Sequence, residues 1–177
     1  MDISRTMVLN YLPRHRLDAG TYGTMGVGLG FAVAAAAWCK DHAPQKKVVS
    51  IQGDSAFGFS GMEIETICRY KLPVIMIIMN NNGIYNGLDG ESWETIQSSG
   101  DLPLNIPPTS LTVDARYEKI VEAFGGKGYF VRTPKELKSS LSAALKATDQ
   151  VSLINVMISP MAQRKQQDFF WLTKSKM

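Results

Sequence analysis

Residues 53–85 read GDSAFGFSGMEIETICRYKLPVIMIIMNNNGIY, and how this stretch divides decides the fold. Just ahead of it, Val48–Ile51 is a short apolar strand pattern that runs into Gly53-Asp54. From about Gly61 to Tyr70, Ile64, Ile67 and Cys68 recur at helical spacing, so a helix with one apolar face is expected. Pro73 then opens Val74–Met79, a β-branched and methionine run apolar on both faces, as a buried parallel strand requires. The order strand, helix, strand makes a crossover unit. Asp54 falls just past the first strand and Asn81 just past the second, 27 positions on (81 − 54). A carboxylate and an amide oxygen so placed can hold a hard cation against an anionic ligand, because magnesium takes oxygen ligands and bridges phosphates.

Outward from this unit, helix and strand patterns keep alternating. A small-residue helix is expected from about Thr24 to Lys40, where Ala32, Ala34, Ala35, Ala36 and Ala37 allow close packing. Residues 83–113 carry Gly83, Gly87, Gly90, Pro103, Pro107 and Pro108, which predicts loop with one short helix at most. Beyond it the patterns predict a helix over Tyr117–Phe124, a strand over Tyr129–Val131, a helix over Pro134–Ala147 and a strand over Ser152–Ile158. The fold class is therefore α/β, a mainly parallel sheet flanked by helices on both faces. Right-handed crossovers would set Asp54 and Asn81 at the carboxyl edge of that sheet, where ligands bind in such folds.

At 177 residues, with 45% hydrophobic and 20% charged residues, the chain has the makings of one ordinary globular domain. A net charge of +3 and the lack of basic runs interleaved with aromatics argue against nucleic acid as a partner. The longest apolar stretches, Val27–Trp38 and Leu72–Met79, are too short for a membrane span. Arg5, Arg14 and Arg16 interrupt any signal-peptide layout. Cys39 and Cys68 fall on helical patterns without metal-ligand spacing and are expected to be free thiols.

Taken singly, the candidate motifs have plain structural readings. The glycines of Gly23-Thr24-Met25-Gly26-Val27-Gly28-Leu29-Gly30 miss the dinucleotide fingerprint, which would need glycine where Phe31 stands. They also lack the Gly-Lys-Ser/Thr ending of a P-loop, and serve helix packing as well as they would serve a ligand. Asp54 alone could cap a helix, and Asn80-Asn81-Asn82-Gly83 alone is a turn sequence. Their joint spacing and strand context favour a shared site.

Gly53-Asp54-Ser55 and Asn80-Asn81 together resemble the signature of thiamine-diphosphate-dependent enzymes, a Gly-Asp-x start and a paired-Asn end. The whole string from Gly53 to Tyr85 is similar to the group of 2-hydroxyacyl-CoA lyases and their relative oxalyl-CoA decarboxylase. The flanks Leu12–Thr21, Phe124–Val131 and Arg164–Leu172 agree, so the resemblance covers essentially the whole chain. It implies that Asp54, the Asn81 side chain and the Gly83 carbonyl hold magnesium, completed by two diphosphate oxygens and a water. Backbone groups of Ser55 and Ala56 would face the diphosphate. Met25 would wedge the cofactor into its bent form, and the Gly23 carbonyl would accept from the pyrimidine 4′-amino group. The chemistry implied is carbon–carbon cleavage of a 2-hydroxyacyl-CoA to formyl-CoA and an aldehyde, with the thiazolium as electron sink.

The same resemblance implies what is not here. Enzymes of this group have a pyrimidine-binding, a middle and a diphosphate-binding domain, and the chain matches the last, over residues 1–159, with a C-terminal arm over 160–177. The glutamate that activates the pyrimidine would come from a pyrimidine-binding domain, normally on a neighbouring subunit. Glu63, Glu65, Glu91 and Glu94 do not match it. Met1 reads as an internal methionine, the isolated chain is expected to be inactive, and the face that would meet the missing domain is expected to seek a partner such as full-length subunits. The ending Ser175-Lys176-Met177 is close to a peroxisomal address read by an import receptor, which makes the peroxisome the expected compartment. Arg164, Lys165, Phe169, Phe170 and Trp171 could close over the CoA part of a substrate or simply dock. His15 fits a charged surface turn better than a CoA phosphate site, and His42 fits the end of the first helix, complementing its dipole.

Overall fold

In a computed structural model, residues 2–162 are described. The expectations for Arg164, Lys165, Phe169, Phe170, Trp171 and Ser175-Lys176-Met177 lie outside them. Strands β1 (Val48–Gly53), β2 (Val74–Asn80), β3 (Lys127–Val131) and β4 (Ser152–Met157) form one sheet in the order β1-β2-β4-β3. Every neighbouring pair is parallel. Among the described residues the helices are α1 (Asp2–Met7), α2 (Val27–His42), α3 (Asp54–Gly58), α4 (Glu63–Arg69), α5 (Gly90–Ser98), α6 (Leu102–Asn105), α7 (Glu118–Ala123) and α8 (Pro134–Lys146).

The central strand β2 is buried on both sides, and alternation along it creates two cores. Val74, Met76 and Ile78 face one way, against Leu29, Ala32 and Ala36 of α2, Phe57 of α3, Ile64 and Ile67 of α4 and Val121 of α7. Ile75 and Ile77 face the other way, with Ile154, Val156 and Val131, against Leu137, Leu141 and Ala144 of α8. Helices thus cover both faces of a parallel sheet, the expected fold class. One region is bare. Val49 and Ile51 pair in register with Ile75 and Ile77 and share their face, yet α8 packs on β3 and β4, and the two side chains are 44% and 41% exposed.

The differences from the sequence reading have local causes. The first long helix starts at Val27, not Thr24, because Gly23 and Gly26 sit at φ 61° and 90°, in the left-handed region. The crossover holds a five-residue turn of helix, α3, before α4, since the chain must first turn Asp54 under the sheet edge. The loop after β2 holds two short helices, α5 and α6, instead of one, the first capped by Asp89 accepting from the Ser92 N–H at 2.8 Å. Helix α8 opens with a capping box: Thr133 Oγ1 accepts from Glu136 N at 3.3 Å, and Glu136 Oε2 accepts from Thr133 N at 3.0 Å. At its other end Lys47 donates to the carbonyls of Ala144 and Ala147, tying the start of β1 to the helix. Both cysteines are free thiols, and burial pushes the Cys68 thiol up.

Candidate cofactor site

β1 and β2 run parallel and in register, Gly53 opposite Met79, so their carboxyl ends deliver Asp54 and Asn81–Gly83 to one place. Asp54 is 1% exposed. Its Oδ1 accepts from Ser55 N at 2.8 Å and its Oδ2 from Gly83 N at 3.0 Å. Burial pushes its carboxyl above the ordinary range, while the backbone N–H groups of Ser55, Gly83 and Asn81 pull the other way. Among the described residues no Lys or Arg pairs with it. The half-buried Tyr117 phenol is pushed up by burial and then by the Asp54 charge, which places it within the carboxylate's field.

The turn across from Asp54 is tightly specified. Asn81 Nδ2 donates to the Tyr85 carbonyl at 2.9 Å, leaving Oδ1 as the acceptor end of that amide. Asn82 takes φ 61°, which asparagine tolerates, and Tyr85 takes φ 79°, which costs an aromatic residue about 1–3 kcal/mol. Gly83 could carry no side chain, since a Cβ would lie 2.7 Å from the Asn86 carbonyl oxygen and 2.9 Å from that of Thr109. Backbone bonds from Ile84 N to Thr109 O (2.8 Å) and from Leu111 N to Asn82 O (2.8 Å) pin the loop to the turn.

The glycine-rich segment reaches the same sheet edge from the other side. A Cβ on Gly26 would lie 2.8 Å from Phe59 Cβ, and one on Gly28 would lie 2.6 Å from Gln52 Oε1. Close approach at the end of β1, together with the left-handed turn, explains these glycines without a nucleotide fingerprint. Gly23 and Met25 lie in the loop that leads into this contact, with Met25 40% exposed. Ser55 and Ala56 are half-buried in α3, and the Ser55 N–H is turned onto Asp54. The structure therefore brings together Asp54, Ser55, Asn81 and Gly83, while Gly23 and Met25 belong to the adjoining loop. Glu63 and Glu65 lie on α4, where Glu65 Oε1 accepts from Arg69 Nε at 2.9 Å, and Glu91 and Glu94 lie on α5. His15 bonds Pro13 O and Lys46 Nζ at the surface, and His42 stacks on Trp38 at 5.0 Å.

A metal at this turn would see oxygen donors of mixed kind: one carboxylate, one amide and one backbone carbonyl. Among the described residues there is no cluster of three or more His, Cys, Asp or Glu. The donor set thus suits a hard ion such as magnesium, not zinc, and a buried carboxylate without a cation is the kind of group such an ion neutralises. No helix among the described residues is long and apolar enough to cross a membrane. Sequence reading missed Glu118 and Asn155, buried behind the turn, and took Asn80 and Asn82 only as turn residues, where both are buried. Asn155 carried a signal, a lone amide inside the apolar run Leu153–Val156; Glu118, on a charged helix start, carried none.

Residues 2–156 match the thiamine pyrophosphate enzyme family, in its C-terminal TPP binding domain. The chain is 58% identical over its full 177 residues to 2-hydroxyacyl-CoA lyase 1 of Homo sapiens, of which it covers 31%. It is 46% identical over 162 residues, 92% of its length, to oxalyl-CoA decarboxylase of Escherichia coli K12, of which it covers 26%. The crystal structure of benzoylformate decarboxylase from Polynucleobacter necessarius superposes with a TM-score of 0.62 at 26% identity, over 80% of this chain and 25% of that one. The chain thus spans about a third of the length of the 2-hydroxyacyl-CoA lyases of Homo sapiens and Mus musculus that it matches. The buried Asp54–Asn81–Gly83 turn at the edge of a parallel sheet and the match over residues 2–156 agree: this chain belongs to the thiamine pyrophosphate enzymes, as their C-terminal TPP-binding domain.

Proposed function

We propose that this chain is the diphosphate- and magnesium-binding part of a 2-hydroxyacyl-CoA lyase. The observation that carries the cofactor reading is the Asp54 carboxylate, 1% exposed, without a cationic partner among the described residues, and facing the Asn81–Gly83 turn. The 58% identity over the whole chain favours the lyase over the decarboxylase, at 46% over 162 residues, as the reaction of the complete protein. In this reading Asp54, Asn81 Oδ1 and the Gly83 carbonyl hold Mg2+, and the backbone around Ser55 and Ala56 meets the diphosphate. Met25 and the Gly23 carbonyl position the rest of the cofactor. When bound, thiamine diphosphate supplies the electron sink for cleaving the bond next to the thioester carbonyl.

The chain's own residues bind and orient; none is assigned the proton transfers. The activating glutamate is assigned to a pyrimidine-binding domain outside this chain, so the isolated chain should bind the cofactor and turn nothing over. Calorimetry of the 177-residue chain should show thiamine diphosphate binding that requires Mg2+ and is lost in Asp54→Ala. Binding that ignores both Mg2+ and the substitution would refute the metal assignment. Formyl-CoA formation by the chain alone would refute the assignment of the glutamate elsewhere. The ending Ser175-Lys176-Met177 supports a peroxisomal address. A fluorescent protein ending in the last residues of this chain should collect in peroxisomes, and diffuse cytosolic signal would overturn that reading.

A further inference from the structure

Behind the turn lies a polar cluster that the core has no packing need for. Asn80 and Asn155 are fully buried, Glu118 is 2% exposed and Asn82 3%. Burying four such groups is costly unless each is satisfied, and here each is. Asn80 Oδ1 accepts from Asn82 N at 3.1 Å, and Asn80 Nδ2 donates to Asn155 Oδ1 and to Ala115 O, each at 3.2 Å. Asn155 Nδ2 donates in turn to Glu118 Oε2 at 2.9 Å and Ala115 O at 2.8 Å. Arg116 Nε donates to Glu118 Oε1, and its guanidinium lies 4.1 Å from the Phe130 ring centroid. Asn82 completes the set, accepting at Oδ1 from Asp114 N at 3.0 Å and donating from Nδ2 to Leu88 O at 2.9 Å.

The chain of bonds has a direction. Donation runs from the backbone N–H of Asn82, the residue between the two assigned ligand positions Asn81 and Gly83, through Asn80 and Asn155 to Glu118, which also accepts from Arg116. Every amide in it can be satisfied only one way round, because Nδ2 of both Asn80 and Asn155 faces acceptors and Oδ1 of each faces a donor. We infer that Asn80, Asn155 and Glu118 are positioning residues: a buried strut that holds the Asn81–Gly83 turn in its ligand-binding form before any ion arrives. This rests on the proposed magnesium reading of the turn and adds to it where the preorganisation comes from.

The isosteric change Asn155→Asp tests this. It puts a carboxylate oxygen where an N–H₂ now faces Glu118 and Ala115 O, without changing volume. Hydrogen exchange in the Mg2+-free 177-residue chain should then speed up at Asn82 and Gly83 by about tenfold or more, while the core amides of β2, Ile75 to Ile78, keep their protection. Mg2+-dependent thiamine diphosphate binding should weaken by about tenfold or more. Adding Glu118→Gln should recover part of both losses, because the amide introduced by that change can donate to the carboxylate introduced by the first, while the contact with the Ala115 carbonyl stays unpaired. If Asn155→Asp does not fold, Glu118→Gln alone, further from the turn, should give the same pair of changes in smaller measure. Unchanged exchange at Asn82 and Gly83 in a folded variant overturns the strut, as does loss confined to β2. The exchange readout needs no metal, so it decides the strut even if the wild-type chain proves indifferent to Mg2+, the outcome that would instead sink the metal reading.

Discussion

At the scale of single residues, the buried Asp54 carboxylate ties stability to pH. Its folded pKa lies above the ordinary 3.8, with burial as the main cause. For an acid so raised, the stability due to its proton is fully present below the unfolded pKa and is lost as pH rises through the folded value. The metal-free chain should therefore lose stability relative to Asp54→Asn, which stays neutral, as pH rises above the ordinary carboxylate range. Comparing the two thermal midpoints cancels the opposite slope from Glu122 and Glu136, whose carboxyls are held low by Lys119 and by the Arg132 and Thr133 backbone and side-chain bonds. On the proposed magnesium reading, saturating Mg2+ should reverse the trend for the wild type alone, because a cation held by Asp54 would favour its ionised form. A difference that does not change with pH would show that Asp54 does not titrate in this range.

Among the elements, α8 separates stability from binding. It packs on β3 and β4, across the sheet from α2, and its start is held by the reciprocal Thr133–Glu136 bonds. Thr133→Ala should cost about 1 kcal/mol of unfolding free energy. Its cofactor affinity should match the wild type once both are fully folded, a comparison made by denaturant titration followed by calorimetry. A clear drop in affinity would mean that the α8 side of the sheet reaches the turn. The short helices α3, α5 and α6 behave differently from α8, because none has a long apolar stripe of its own and each is defined by the loop it sits in.

For the molecule as a whole, the bare strip of sheet is the informative feature. Val49 and Ile51 lie on an edge strand beside Ile75 and Ile77, beyond the cover of α8, and Tyr11, Leu12, Leu17 and Tyr22 are exposed in the segment before α2. An apolar surface of this kind beside an open strand edge favours association. Sedimentation of the isolated chain should show concentration-dependent oligomers, and Val49→Lys with Ile51→Glu should shift it towards monomer without unfolding the sheet. A monomer at all accessible concentrations would refute this.

The order of elements from α2 to β4 and the pairing of Asp54 with Asn81 were legible in the sequence, because both depend on local periodicity and on chain distance. Val74–Met79 is apolar on both faces wherever it sits, and a helix and a strand between residues 54 and 81 return the chain to the same edge. The break between α3 and α4, the second helix of the 83–113 loop and the start of α2 were not legible, since close backbone approach sets them: Gly26 against Phe59, Gly83 against Asn86 and Thr109. Least legible was the polar strut. Asn80 and Asn155 are 75 positions apart and meet only because β4 inserts between β2 and β3, a strand order that no local pattern specifies. The sequence by itself determined the layers and placed the candidate ligand residues at the ends of two strands. Only the tertiary structure decided what surrounds them, because burial and hydrogen-bond partners are properties of neighbours distant in the chain.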